Sequence, residues 1–295
     1  MPPGADGAGR PFASPEEVRT ALRKTGYLAD IGLVTSIYLS LAMGRPLLLE
    51  GEAGVGKTEV AKALATVLGR DLIRLQCFEG IDAGQALYEW DYARQLVAVR
   101  AAQSGAMQAG DLFGPEFLSE RPLLAAIRAG PGAVLLIDEL DRADDEFEAF
   151  LLEVLSDFAV TIPEVGRVAA ERPPAVVITS NRTRELHDAL KRRCLWHWID
   201  HPDLEREVEI VRVRAPEVPE RLAREVAAAV GRLRELDVAK RPGVAETIDW
   251  ANALVLLGVE HLEPAAAEAT LGAVIKDHED AGMVRGRLND VVGGG

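Results

Sequence analysis

The sequence predicts an α/β fold followed by a smaller all-helical domain. Five short apolar segments are typical of buried strands, and helical segments separate them along the chain. These segments are residues 46–50, 71–78, 133–137, 175–180 and 194–199. From Pro202 onward no strand-like segment follows, and apolar residues recur at helical spacing. We therefore expect a disordered N-terminus over residues 1–13, a strand-and-helix domain over residues 14–201 and a helical domain over residues 202–295.

The net charge, the apolar content and the cysteine count disfavour several classes of function. The 295 residues carry a formal net charge of −14. Phosphate backbones repel an acidic surface, so a role in nucleic-acid binding is disfavoured. No run of about 18 apolar residues occurs and no secretory signal is visible, so we expect a cytoplasmic protein with no integral membrane span. The two cysteines, Cys77 and Cys194, suit neither a disulfide framework nor a metal site and are expected to be reduced thiols.

The segment Gly51–Thr58, GEAGVGKT, fits the pattern of a nucleotide phosphate-binding loop. It lies between the first predicted strand and a predicted helix at residues 59–68, which is the context that the pattern requires. Its glycines and the helix N-terminus allow backbone N–H groups to surround a β-phosphate. We expect Lys57 to reach the β- and γ-phosphates and the Thr58 hydroxyl to bind Mg²⁺. The predicted nucleotide-binding residues are Gly51, Glu52, Ala53, Gly54, Val55, Gly56, Lys57, Thr58 and Glu59.

Two predicted helices precede the loop. Ser14 is the expected N-cap of the first, and Glu17 would complete a capping box. The second, at residues 30–43, is apolar on most sides, so we expect it to be buried and to end at Gly44. These helices could form one wall of a pocket for the nucleotide base, although ordinary core packing explains them equally well. The candidate lining residues are Tyr27, Leu28 and Ile31.

A long irregular connection at about residues 79–122 follows the second strand. It contains YEWDY at residues 88–92, a helical stretch at residues 95–109 and LFGPEFL at residues 112–118. Aromatic residues in so long a connection are typical of binding or substrate handling. An insertion that packs on its own domain explains them equally well.

The third strand ends in Asp138 and Glu139, and this is typical of a Walker B element. Asp138 would hold Mg²⁺, and Glu139 would orient and polarise the attacking water. A helix at residues 145–157 and a hairpin turning near residues 161–167 are predicted next. Asn181 ends the fourth strand, where it could hold the water or sense the γ-phosphate if the two strands are neighbours; the alternative is a turn residue.

The helical segment at residues 185–193 ends in Arg192 and Arg193. In oligomeric triphosphatases an arginine from one subunit stabilises charge at the neighbour's γ-phosphate, and either residue is a candidate for this arginine finger. Capping of the helix C-terminus is the alternative explanation. His197, which lies between two tryptophans, is expected to be a strand residue and not a metal ligand.

The order GEAGVGKT, LLIDELDRA, TSN and LKRRC, followed by a helical lid, resembles an AAA+ ATPase. More narrowly, the chain resembles the MoxR branch through RPLLLEGEAGVGKT, through IDELDRADDEFEAFLLEVLSD with a hairpin after it, and through RRCLWHWIDHP. The segments LIRLQCFEG, LYEWDY and RPGVAETIDWA bring it close to the CoxD-like ATPases that accompany carbon-monoxide dehydrogenase and related molybdenum hydroxylases. The resemblance covers roughly residues 25–260.

This resemblance implies a P-loop NTPase core with a five-stranded parallel sheet in an αβα arrangement, followed by the helical lid. It implies ATP and Mg²⁺ as cofactors, bound between subunits of a homo-oligomeric ring that is expected to be a hexamer. MoxR ATPases remodel or complete metalloenzymes, often with a partner that carries a von Willebrand factor A domain, so a client metalloenzyme is expected. By position the resemblance assigns Gly51–Thr58 as the P-loop, Asp138 and Glu139 as Walker B, Asn181 as sensor one, and Arg192 or Arg193 as the finger.

One departure from the AAA+ pattern affects the expected mechanism. Many lids offer a sensor-two arginine near a Ser-Pro-Arg turn, but the corresponding turn here is RPGVAE, so this arginine is absent or is supplied by Arg241.

The leading hypothesis is Mg²⁺-dependent ATP hydrolysis that remodels a client. The alternative is an ATP-gated binding module or switch with slow hydrolysis. Nucleic-acid work, as in clamp loaders, is disfavoured by the net charge of −14.

Overall fold

The computed structural model describes residues 11–101, 112–163 and 165–293. Most of the predicted disordered N-terminus, and the second half of the helical stretch predicted at residues 95–109, lie outside the described residues. The chain divides into two compact units. The first contains the chain up to Trp198 except for Gly26–Leu28 and Gly51–Lys57, and the second contains those two segments and the chain from Ile199 onward. The domain boundaries predicted from the sequence stay predictions.

Strands and helices alternate along the part of the chain before Ile199. In chain order they are α1 (Pro15–Lys24), α2 (Ile31–Met43), β1 (Leu47–Glu50), α3 (Lys57–Leu68), β2 (Asp71–Gln76), α4 (Ala83–Leu87), β3 (Tyr88–Trp90), α5 (Tyr92–Ala101), β4 (Leu118–Glu120), α6 (Pro122–Ala129), β5 (Ala133–Asp138), α7 (Asp145–Asp157), β6 (Ala159–Ile162), β7 (Gly166–Ala169), β8 (Ala175–Ser180), α8 (Asp188–Lys191) and β9 (Leu195–Trp198).

A five-stranded sheet forms the centre of the first unit, with the strand order β2-β5-β8-β1-β9. All four strand pairs are parallel. β1 and β5 are buried along their whole length, because helices cover both faces of a sheet of this kind. The predicted α/β fold with a five-stranded parallel sheet is confirmed. The carboxyl ends of the strands meet at one edge, where Gly51, Glu139 and Asn181 follow β1, β5 and β8.

The first two helices begin and end close to their predicted residues. The Ser14 side chain accepts a hydrogen bond from the Glu17 N–H, as expected of an N-cap. The Glu17 carboxylate accepts from the N–H of Ala13 at 2.7 Å, one residue earlier than a capping box requires. The expectation that α2 is buried is confirmed for part of the helix only: Leu33, Val34 and Ile37 are buried, whereas Ile31, Leu39 and Met43 are exposed. Gly44 ends α2 in the left-handed region, as predicted.

Most aromatic residues of the long connection pack against their own unit, although Tyr92 is 62% exposed. β3 and β4 form an antiparallel pair. Trp90 and Phe117 are buried in a cluster that also includes Ile162 of β6, and the Trp90 and Phe113 rings meet edge to face at 5.2 Å. The structure therefore favours the packing explanation for these aromatic side chains.

The helix predicted at residues 185–193 is wrong in length, because only Asp188–Lys191 is helical. Side-chain carboxylates take the backbone N–H groups that precede it. His187 N–H donates to Glu148 Oε2 at 2.9 Å, and Thr183 N–H donates to Asp141 Oδ2 at 2.8 Å. These bonds attach the segment before α8 to Glu148 of α7 and to Asp141, and no local sequence signal reports them. The predicted hairpin is confirmed as the antiparallel pair β6–β7.

The second unit is helical, as predicted from Pro202 onward. Its helices are α9 (Leu204–Arg214), α10 (Glu220–Glu235), α11 (Val244–Leu256), α12 (Pro264–Val274), α13 (His278–Arg285) and α14 (Leu288–Val292). Trp250 lies fully buried at their centre, and its indole N–H donates to Thr270 Oγ1 at 2.7 Å. Within the described part of the chain, no helix combines the length and apolar character needed to cross a membrane.

Candidate nucleotide-binding site

The phosphate loop links β1 to α3 and contains the backbone conformations that its glycines allow. Gly54 and Gly56 have φ angles of 79° and 96°, which most side chains disfavour. The Lys57 ammonium group is buried and donates to the carbonyl oxygens of Gly51 at 2.9 Å and Glu52 at 2.7 Å. The loop's own backbone therefore positions the cationic group that the sequence predicts for phosphate binding.

The loop backbone touches the start of α11 within the second unit. A Cβ placed on Gly54 would lie 2.8 Å from the Gly243 Cα, closer than real Cβ contacts allow. The Val244 N–H donates to the Gly54 carbonyl oxygen at 3.0 Å. Glycine is therefore required at residues 54 and 243 for a close approach of two backbones, in addition to any phosphate contact.

Glu52 of the loop is held by two basic side chains. Arg241 Nη1 lies 3.2 Å from Glu52 Oε1, and His201 Nε2 lies 3.3 Å from Glu52 Oε2. Burial, followed by the positive charge of Arg234, lowers the pKa of His201. Arg241, the one candidate for a sensor-two arginine, is therefore engaged with a loop carboxylate.

The predicted metal ligands Thr58 and Asp138 lie in contact, although 80 residues separate them in the sequence. Asp138 is 2% exposed, and its Oδ1 accepts from Thr58 Oγ1 at 3.0 Å and from Thr179 Oγ1 at 2.6 Å. Its Oδ2 accepts from Arg74 Nε at 2.9 Å and Nη2 at 2.5 Å. A hydroxyl and a carboxylate are oxygen donors of the kind that Mg²⁺ takes, so these residues fit that ion.

Glu139 follows Asp138 in a left-handed conformation, with a φ angle of 54°. Its N–H donates to Thr179 Oγ1 at 2.9 Å, so Thr179 bridges the Glu139 backbone and the Asp138 carboxylate. The Glu139 carboxylate oxygen Oε2 accepts from Gln76 Nε2 at 3.0 Å and lies 3.2 Å from Arg142 Nη1. The predicted catalytic carboxylate is thus restrained by two side-chain donors.

Three residues of this site were missed by sequence reasoning: Arg74, Gln76 and Thr179. Arg74 hydrogen-bonds both Asp138 Oδ2 and the side-chain oxygen of Gln76. Residues 74 and 76 lie on one face of β2 because side chains alternate along a strand. β2 pairs with β5 with Gln76 opposite Asp138. The alternation was visible in the sequence, but the strand order that makes it significant was not.

Asn181 lies at the end of β8, next to β5, so the neighbouring strands assumed for it are present. Its N–H donates to Asp141 Oδ1 at 3.1 Å. The buried Asp141 carboxylate also accepts from the backbone and hydroxyl of Thr183 at 2.8 and 2.7 Å. Asp141 therefore fixes the backbone that presents Asn181, and no hydrogen bond of the described residues joins the Asn181 side chain to Glu139.

Arg192 and Arg193 lie away from the Thr58–Asp138 contact. They precede β9, whose first N–H, that of Leu195, donates to the carbonyl oxygen of Pro46 just before β1. They are therefore at the amino ends of the strands, whereas Asp138 is at a carboxyl end. Arg45 donates to the backbone carbonyl groups of both arginines, with Nε 3.0 Å from the Arg193 oxygen. This places neither guanidinium in the catalytic cluster of its own chain.

The candidate base-pocket residues differ in their surroundings. The Tyr27 ring lies beside the phosphate loop, 3.9 Å from where a Cβ on Gly56 would be. Ile31 begins α2 and is mostly exposed. A base pocket formed by these residues with Leu28 stays a prediction.

Comparison with known proteins identifies the family. The AAA domain family, dynein-related subfamily, matches residues 46–194, about half of the chain. The chain is 29% identical over 197 residues to the uncharacterized protein YehL of Escherichia coli, which covers 63% of this chain and 49% of YehL. It is 34% identical over 134 residues to the chaperone protein ClpB 2 of Parasynechococcus marenigrum, which covers 44% of this chain and 13% of that protein. The chain thus spans about half the length of YehL and a smaller part of ClpB 2.

A solved structure shares the fold. A RuvB mutant from Thermotoga maritima superposes with a TM-score of 0.50 at 16% identity, covering 92% of this chain and 73% of the RuvB chain. At this identity the likeness supports the fold alone. The chain belongs to the AAA domain family, in its dynein-related subfamily.

Proposed function

We propose that this chain is a MoxR-type AAA+ ATPase that works in a homo-oligomeric ring, expected to be a hexamer, and uses ATP hydrolysis to remodel a client protein. The observation that carries the proposal is the contact of Thr58 with Asp138, with Glu139 directly following. This arrangement would supply two ligands for Mg²⁺ and an adjacent carboxylate that can orient the attacking water. The chaperone name of the ClpB relatives supports a remodelling role.

Each proposed site residue has a distinct task. Lys57 would bind the β- and γ-phosphates, and the backbone of Gly51–Thr58 would surround them. Thr58 and Asp138 would hold Mg²⁺, which supplies positive charge to the phosphate oxygens when bound. Glu139 would orient the attacking water and take up its proton through the carboxylate. Asn181 would hold that water or sense the γ-phosphate.

We propose that Arg192 or Arg193 completes the site of a neighbouring subunit. Both lie at the amino ends of the strands, and Arg45 holds their backbone carbonyl groups. An arginine at this edge serves its own chain's Asp138 poorly but is suited to contact a second copy. A guanidinium at the γ-phosphate stabilises charge that develops in the transition state.

Two measurements test this proposal. Glu139→Gln should bind ATP but lose nearly all turnover, since the amide cannot act as a base; full turnover in this variant would remove Glu139 from the mechanism. Specific ATPase activity should rise with protein concentration, and Arg192→Ala or Arg193→Ala should lose activity while still binding ATP. Activity that is independent of concentration, with both arginine variants unchanged, would contradict a shared site.

A second candidate is an ATP-gated binding module or switch with slow hydrolysis. It is favoured by the two donors on the Glu139 carboxylate, Gln76 and Arg142, which compete with a water molecule for the same oxygen. The pairing of Arg241 with Glu52 also supports it, because it occupies the one sensor-two candidate. Tight ATP binding with near-zero turnover, even when a partner is present, would favour the switch.

The client is proposed from the resemblance. We expect a cytoplasmic metalloenzyme, in particular a molybdenum hydroxylase such as carbon-monoxide dehydrogenase, with a von Willebrand factor A domain protein as a further partner. Co-expression of the enzyme with and without this chain tests it. Equal metal-centre content in both preparations would contradict the metalloenzyme role. We expect no salt-sensitive DNA binding, because the chain carries a net charge of −14.

A further inference from the structure

A cavity of about 200 Å³ opens at the amino ends of the central strands. The segments that lead into four of these strands line it. These lining residues are Arg45 and Pro46 before β1, Arg70 before β2, Pro131 before β5, and Arg172, Pro173 and Pro174 before β8. The cavity therefore lies at the edge of the sheet opposite to Asp138, and the phosphate loop and the proposed Mg²⁺ ligands are not among its lining residues.

The charge of this cavity is the reverse of the charge of the chain. The sequence has 47 acidic and 33 basic residues, yet among the described residues three arginines and no carboxylate line the cavity. Arg45 is satisfied by three backbone carbonyl groups. In the part of the chain that the structure describes, neither Arg70 nor Arg172 has a side-chain hydrogen bond or an ion pair. Arg70, which is half-buried, and Arg172, which is exposed, thus line one small cavity, and neither is paired with a carboxylate among the described residues.

The electrostatics of the pair favour an anion. Burial, followed by the charge of Arg172, lowers the pKa of Arg70, so the two cations are close enough to repel each other. Prolines form much of the wall and have no N–H, so the guanidinium groups are the principal donors facing the cavity. An anion between Arg70 and Arg172 would accept from both and remove their repulsion.

We propose that this cavity binds a phosphate group, through Arg70 and Arg172. A guanidinium presents two parallel N–H donors to one pair of oxygens, and a phosphate has enough oxygens for two such contacts, whereas a carboxylate has one pair. Apart from Ser40, the remaining lining side chains are apolar and include Phe158 and Val176. It suits either free phosphate or a small organic molecule that carries one. This site does not depend on the proposed remodelling function.

The test uses the full chain saturated with Mg²⁺ and the non-hydrolysable analogue β,γ-imido-ATP, so that every phosphate position of the loop is filled. Inorganic phosphate is then titrated by calorimetry. We expect one site per chain, with affinity reduced about tenfold in Arg70→Gln and again in Arg172→Gln, as for loss of a charged hydrogen bond. Arg221→Gln is the matched control, because it removes one exposed arginine from α10 with the same change in net charge.

A parallel titration with phenyl phosphate distinguishes the two sources. Tighter binding than inorganic phosphate, lost in the same two variants, supports a site for an organic phosphate; weaker binding supports a site for the free ion. Absence of phosphate binding in the wild type, or equal binding in wild type and both variants, would overturn the proposal. A loss of self-association in sedimentation with phosphate binding unchanged would also overturn it and assign the arginines to an acidic surface of a second copy.

Discussion

Removal of the Arg74 guanidinium should tighten Mg²⁺ binding. Arg74 donates two hydrogen bonds to Asp138 Oδ2, at 2.9 and 2.5 Å, and Asp138 is the proposed ligand of the metal. Arg74 and a metal ion therefore compete for one carboxylate. A substitution such as Arg74→Gln removes the competing positive charge and leaves Oδ2 without its strongest donors.

The size of the effect follows from Coulomb's law. Two unit charges about 5 Å apart repel by about 1 kcal/mol in water and about 3 kcal/mol at an effective dielectric constant of 20. The Arg74 side chain is 51% exposed, so the lower value applies to each unit of the metal's charge. For a divalent ion this gives about 1–2 kcal/mol, which is a fivefold to thirtyfold lower Mg²⁺ midpoint.

The assay is a titration of Mg²⁺ against the fluorescence of a bound ATP analogue, which reports binding independently of turnover. Arg74→Lys keeps the charge and should titrate close to the wild type. Arg121→Gln is the distant control, since it removes an arginine that pairs with Glu89 on the surface of the same unit. An Arg74→Gln midpoint that is unchanged or higher than that of the wild type would refute the competition.

Three further predictions concern stability and reactivity. Trp250→Ala should lower the free energy of unfolding by about 3–5 kcal/mol in denaturant titrations, because it leaves a large cavity among α10–α12; a loss below about 1 kcal/mol would contradict its central position. Cys77 and Cys194 should react slowly with thiol reagents at pH 8 until the protein unfolds, because burial raises the pKa of each thiol to about 12 and keeps it protonated; rapid labelling of the native protein would contradict this. His197 and local backbone N–H groups lower the pKa of Asp30 from 3.8 to about 2, so its contribution is present above pH 4 and is lost as the pH falls through 2. Since the Asp30 side chain is 62% exposed and 3.8 Å from His197 Nε2, the contribution is below about 1 kcal/mol, and Asp30→Asn should reduce the acid sensitivity of unfolding between pH 4 and pH 2 by that amount.

The elements of the fold were predictable where their signals are local. The apolar segments that form β1, β5 and β8 are short and continuous. The glycines after β1 have the spacing of a phosphate-binding loop. The contact of Thr58 with Asp138 was predictable too, because two motifs with known partners identify both residues. Local sequence was thus sufficient for the individual strands and for the contact of Thr58 with Asp138.

The parts that were missed depend on contacts between distant segments. Arg74 and Gln76 matter because β2 is the neighbour of β5, a pairing that neither strand's composition encodes. The helix predicted at residues 185–193 begins only at Asp188, and the His187 N–H before it donates to Glu148, which is 39 residues away. Arg45 donates a hydrogen bond to the carbonyl oxygen of Arg193, which is 148 residues away in the sequence. Register and long-range hydrogen bonding decide these features, and periodicity does not report them.

The close approach of Gly54 and Gly243 makes one amide a reporter of the phosphate loop. The Val244 N–H donates to the carbonyl oxygen of Gly54 in the loop, and Val244 is not itself one of the predicted nucleotide-binding residues. Any ligand that moves the loop backbone must change this bond, so hydrogen exchange at Val244 would register loop occupancy without a label on the nucleotide. Since a methyl group on either glycine would collide with the other backbone, the two positions also share one constraint: neither can gain a side chain unless the other segment withdraws.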